Sequence, residues 1–84
     1  MIYLTDTAIA DLERYAGRPE AQLALLDAIE RSLFGYSQRR KAPGYGENAR
    51  TYIEGRFRVI FDHLGDEIWL RHILPITSQS AAHW

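Results

Sequence analysis

Cysteine is absent from the 84 residues. That excludes a disulfide framework, a thiolate nucleophile and a cysteine-ligated zinc site. Long apolar runs are absent too, and nothing approaches the roughly 18 residues that a membrane-spanning helix needs. The opening residues Met1-Ile2-Tyr3-Leu4-Thr5-Asp6 lack the basic stretch and the apolar core of a secretory leader. A reducing cytoplasm, without a membrane partner, is the expected setting. Histidine is scarce: His63, His72 and His83 show no His-x-x-x-His or histidine–carboxylate spacing, so neither a metal nor another cofactor is expected. Ser78 and Ser80 have no companion residues that would suggest a catalytic triad. Length itself is limiting, since a chain this short forms one domain and buries only about 60–65% of its unfolded surface.

What is present is an average globular composition, 46% hydrophobic and 25% charged, which excludes a disordered chain. The net charge of −1 conceals an uneven distribution. Residues 1–38 sum to −3, residues 39–58 to +4 and the remainder to −2. The basic stretch holds Arg39, Arg40, Lys41, Arg50, Arg56 and Arg58 against Glu47 and Glu54. Such a segment is either a solvated surface or a meeting place for phosphates or an acidic partner.

Residues 1–4 read as a short first strand. Thr5 or Asp6 can cap a helix, because either side-chain oxygen can accept from a free first-turn amide. Ala8, Ile9, Leu12, Tyr15 and Ala16 then recur at helical spacing. Gly17 ends this helix, and Pro19 suits the first turn of the next, where its missing N–H costs nothing. Leu25, Leu26, Ile29, Leu33 and Tyr36 define the second helix face, and the short link predicts an antiparallel helical hairpin. Residues 37–47, with Pro43, Gly44 and Gly46, read as loop.

Beyond the loop the period changes from 3.6 to 2. Arg50, Tyr52 and Glu54 alternate with Ala49, Thr51 and Ile53, and Gly55 makes a turn. Phe57, Val59 and Phe61 alternate with Arg58, Ile60 and Asp62, and Gly65-Asp66 signals a hairpin. The last strand sets Ile68, Leu70 and Leu74 against Trp69, Arg71 and Ile73, and Pro75 stops it. The expected fold is α+β in the order β-α-α-β-β-β, with the helical hairpin on one face of a small antiparallel sheet. Arg50, Arg58 and Tyr52 are expected on the other face. A single domain spans 1–84, with 76–84 as a tail.

The element order, together with Arg50-x-Tyr52-x-x-Gly55-Arg56-Phe57-Arg58-Val59-Ile60-Phe61, Gly65-Asp66-Glu67-Ile68 and a final apolar strand, resembles the RelE/ParE superfamily of bacterial toxins. Leu4-Thr5-x-x-Ala8-x-x-Asp11-Leu12 is similar to that family's first helix. The resemblance covers about residues 3–74. It implies the toxin component of a type II toxin–antitoxin module, neutralised by a cognate antitoxin and touching operator DNA only through that antitoxin. ParE-like members poison DNA gyrase without hydrolysing anything, whereas RelE-like members cut mRNA on the ribosome. A third possibility is a non-toxic antitoxin-binding scaffold or co-repressor.

Arg58 falls on the family's strand arginine and Arg50 on a neighbouring basic position. Both suit phosphate clamping, since a guanidinium offers forked donors and keeps its charge. RelE-like enzymes place another arginine and a tyrosine or histidine after the last strand. Ile73-Leu74-Pro75-Ile76-Thr77-Ser78-Gln79 holds neither, which favours the gyrase reading. His83-Trp84 is similar to the His-Tyr ending of YoeB-type enzymes but stands further from the strand. A RelE-like reading would use Arg58, Arg50 and His83 as catalytic residues. For either target the binding surface would comprise Arg39, Arg40, Lys41, Arg50 and Arg58. Trp69, opposite the core-facing residues of its strand, would anchor the antitoxin. His72 reads as a core or edge histidine with a satisfied hydrogen bond, and His63 as solvated.

Overall fold

Thr5 is the joint on which the fold turns. Its hydroxyl accepts from the Ala8 amide at 3.2 Å, which starts the first helix, and donates to the Leu70 carbonyl at 2.8 Å. Its own N–H reaches the same carbonyl at 3.1 Å. The protein was analysed as a computed structural model that describes residues 1–34 and 40–76. Within it β1 (Ile2–Leu4), α1 (Asp6–Tyr15), α2 (Pro19–Phe34), β2 (Arg40–Lys41), β3 (Ala49–Glu54), β4 (Phe57–Leu64) and β5 (Glu67–Pro75) follow in order.

The five strands form one sheet in the order β1-β5-β4-β3-β2. The meander β3-β4-β5 is antiparallel, as its alternation and turn signals predict. Two further strands flank it, the expected β1 and a β2 that the sequence reading did not anticipate. β1 adds to the outer edge of β5 in parallel, pairing Tyr3 with Trp69, so the sheet is mixed. β2, inside the stretch read as loop, pairs with β3 through Arg40–Thr51 and Lys41–Arg50. Gly17, Gly55 and Gly65 all have positive φ at the three sharp reversals, where side-chain-bearing residues are strained.

Both helices cover one face of the sheet. α1 packs on β5 and β1, and α2 on β3. Their buried residues Ala8, Leu12, Ile29 and Leu33 join Tyr52, Val59, Phe61, Ile68, Leu70 and Ile73 in the main core. Glu54 ties α2 to this face, accepting from the Ser32 hydroxyl at 2.5 Å and from the Tyr52 hydroxyl at 3.1 Å. Ile9 and Tyr15 stay exposed, because α1 covers a narrow strip of sheet. Tyr36 lies outside the described residues.

Two departures from the period-2 reading matter for function. Tyr52 belongs to the helix-covered core and not to the opposite face. The opposite face carries the smaller Ala49 and Thr51, because residues 42–48 fold back over it. That fold buries Ala42, Ala49 and Ile60 beneath Tyr45, with Leu74 alongside. The second departure is a bulge in β5. Ile60 pairs with His72 but Phe61 pairs with Leu70, leaving Arg71 as the extra residue. Past it the alternation inverts, so Ile73 enters the main core and Leu74 the opposite face.

Candidate functional site

Cross-strand partners share a sheet face, so the register sorts the basic residues. Arg40 stands opposite Thr51, Thr51 opposite Ile60 and Ile60 opposite His72. These four form a row across the face that the helices leave uncovered. The next row is Ile53, Arg58 and Leu74. On the other side of the first row lie Ala49, Asp62, Trp69 and Tyr3. Lys41 and Arg50 are partners of each other, and Arg50 stands opposite Phe61. They therefore belong to the helix-covered side.

The five-residue basic surface expected from the sequence is thus divided. Arg50 is occupied: its Nη1 donates to the Glu47 carbonyl at 2.7 Å and the Ala49 carbonyl at 2.9 Å. It closes the loop before β3 and does not stand beside Arg58. Arg39 and His83 lie outside the described residues. Arg40 and Arg58 share the face that the helices leave uncovered, which residues 42–48 partly cover and in which Arg58 is buried. The side chain of Arg58 is 6% exposed. Its guanidinium is held below the usual arginine range, first by burial and second by the charge of Arg40. An arginine stays protonated under such conditions. The Thr51 hydroxyl in the adjoining row is buried without a hydrogen-bond partner.

The rim of this face is built around Tyr45. Arg71 Nη1 donates to the Tyr45 carbonyl at 2.7 Å, and its guanidinium lies 5.6 Å from the centre of the Tyr45 ring. Arg71 also stands 3.7 Å from Asp62, a solvated pair worth less than about 1 kcal/mol. The His72 ring meets Tyr45 edge-on at 5.7 Å. Behind His72 lies the stretch of β5 that β1 is too short to cover. Asp11 of α1 reaches that edge, and its Oδ2 accepts from the Ile73 amide at 3.1 Å and from His72 Nδ1 at 3.3 Å. His72 is indeed an edge histidine with a satisfied hydrogen bond, but it faces the site. His63 is exposed.

Trp69 stacks on Tyr3, ring centres 4.5 Å apart and planes 20° from parallel, and its Nε1 donates to Glu67 at 3.2 Å. It lies on the uncovered face, half-buried, at the end remote from Arg40. The sequence reading missed Tyr45, Arg71 and the Asp11–His72 pair as parts of one site. The available signal was Arg71-His72 itself: two consecutive polar residues inside an apolar strand are what a bulge leaves in a sequence.

A chain of the RelBE2 toxin–antitoxin complex from Mycobacterium tuberculosis superposes with a TM-score of 0.69, covering 90% of this chain and 96% of that one. The two share a fold. Identity between them is 12%, so the likeness is one of architecture and not of side chains. No protein-family model matches the sequence, and no curated protein matches it. The α+β expectation, with two helices on one face of the sheet, agrees with the structure of this chain.

Proposed function

We propose that this chain is the toxin half of a toxin–antitoxin pair, and that it acts as an mRNA endoribonuclease of the RelE type. The stretch after the last strand favours gyrase, but the bulge in β5 brings His72 onto the face of Arg40 and Arg58, and that reverses the preference. The observation that carries the reading is the co-facial pair of Arg40 and Arg58, on the sheet face that the helices leave open. Phosphodiester cleavage by the neighbouring 2′-hydroxyl needs a cationic clamp for the phosphate as it gains charge. Arg58, desolvated and close to Arg40, supplies that clamp. The shared architecture with a toxin–antitoxin complex supports the class.

A cognate antitoxin is part of the same proposal. Leu23 and Phe34 of α2 are 64% and 58% exposed, and Ile9 of α1 is exposed as well. These are apolar anchors of the kind a partner segment covers. An acidic stretch of that partner would reach the Arg40–Arg58 face and block it, with charge setting the approach and the apolar anchors the residence time.

The test is induction of the chain in growing bacteria without its partner, followed by mapping of mRNA 5′ ends. New cuts that vanish in Arg58→Ala and weaken in Arg40→Ala support the reading. Growth arrest with intact mRNA and altered plasmid supercoiling would move the activity to DNA gyrase. Harmless expression alongside tight antitoxin binding would leave a scaffold or co-repressor.

A further inference from the structure

We infer that His72 is the proton acceptor of this site and Asp11 its positioning residue, an assignment that rests on the nuclease reading above. Cleavage by a 2′-hydroxyl needs a base within reach of the phosphate clamp. The described part of the uncovered face holds one imidazole, and the bulge at Arg71 puts it there. Without that extra residue the alternation of β5 would continue unbroken from Leu70, and position 72 would face the helices.

Three features suit His72 to the role. Asp11 takes Nδ1–H and is fixed in turn by the Ile73 amide, so the ring cannot turn over and Nε2 keeps the lone pair. Asp11 is mostly buried, at 13% exposure, whereas His72 is 29% exposed, so the orienting group is shielded and the reacting one is accessible. Finally, Arg58 and His72 are diagonal neighbours on β4 and β5, about 7–8 Å apart at the backbone. A phosphate held by Arg58 then places the adjoining ribose over the imidazole.

The step balances without a co-reactant beyond water. The 2′-hydroxyl gives its proton to His72 Nε2 as the 2′-oxygen bonds to phosphorus. The bond from phosphorus to the 5′-oxygen breaks, and that oxygen takes a proton from water. The imidazolium then returns its proton to solvent. The products are a 2′,3′-cyclic phosphate and a 5′-hydroxyl. Besides Asp11, the charged or titratable groups around the ring are Arg71 on β5, Arg58 and Asp62 on β4, and Tyr45 above it.

The experiment measures cleavage by the purified chain on mRNA-programmed ribosomes as a function of pH. His72→Gln should lower the rate about 10²–10⁴-fold and erase the acid limb of the profile, where protonation of the ring removes the base. Asp11→Asn should cost up to about 10⁴-fold, because an amide can donate to Nδ1 and hold the ring in the wrong tautomer. Added imidazole should restore part of the rate in His72→Ala and none in Arg58→Ala, a result that a merely structural role would not give. Circular dichroism checks that each variant is folded. If the wild type cuts and Arg58→Ala does not, while His72→Gln keeps the full rate and the same profile, this assignment fails and the nuclease reading survives. If the wild type does not cut at all, both fall.

Discussion

Replacing Thr5 with valine removes one hydroxyl and leaves the shape of the side chain nearly unchanged, so its cost can be worked out in parts. The hydroxyl is the N-cap acceptor for Ala8, a role worth about 1 kcal/mol. It is also the donor to the Leu70 carbonyl at 2.8 Å in a half-buried setting, worth about another 1 kcal/mol. That carbonyl is not orphaned by the change, because the Thr5 N–H still reaches it at 3.1 Å, so no further desolvation cost is added. The sum is about 2 kcal/mol, which in a domain of this size lowers Tm by about 8–16 °C. Urea denaturation measures it as a shifted midpoint at unchanged slope. Thr5→Ser keeps both hydrogen bonds and should lose less than half as much. A Thr5→Val loss below about 0.5 kcal/mol, or a Thr5→Ser loss equal to it, would refute the idea that this hydroxyl joins α1 to β5.

Phe61 is fully buried and meets Tyr52 edge-on at 6.2 Å, so Phe61→Ala should cost about 3–5 kcal/mol, seen as a large fall in the urea midpoint. Gly65 turns the β4–β5 hairpin at φ +59°, and Gly65→Ala should lose about 1–2 kcal/mol while Gly65→Asn loses less, by the same measurement. For the proposed antitoxin, Trp69→Ala should speed dissociation about tenfold or more by removing an aromatic anchor. Surface plasmon resonance reads this, and an unchanged off-rate would remove Trp69 from the interface.

Local rules carried much of the fold. The cap at Thr5, the stop at Gly17, the start at Pro19, the turns at Gly55 and Gly65 and the end at Pro75 all stand where short-range chemistry puts them. Long-range choices were not written locally. Alternation separates Arg50 and Tyr52 from Thr51 and Ile53 but does not say which set meets the helices. The loop over Ala49 and Ile60 changes the answer, because it gives the opposite face a small core of its own. The bulge at Arg71 has the same character. It costs one residue of register and moves Ile73, Leu74 and His72 together. The basic residues that looked like one surface were divided for the same reason, since Lys41 and Arg50 share a face only with each other and the helices.

The parallel pairing of β1 with β5 sets an order of events during synthesis. Thr5 and its partner Leu70 are 65 residues apart, so the strand that β1 needs is made long after β1 itself. At about 5–20 residues per second the ribosome takes about 3–13 s to travel that distance. For those seconds Ile2, Leu4, Ala8 and Leu12 have been made while the strand that shelters them has not. β4 cannot fill in for it, because β1 borders β5 alone. His72, Arg71 and the bulge belong to the same late strand, so the uncovered face is completed in the same interval that closes the sheet. A nascent chain of this protein therefore carries its apolar N-terminal segment unprotected until the sheet face opposite the helices exists, and the two are completed together.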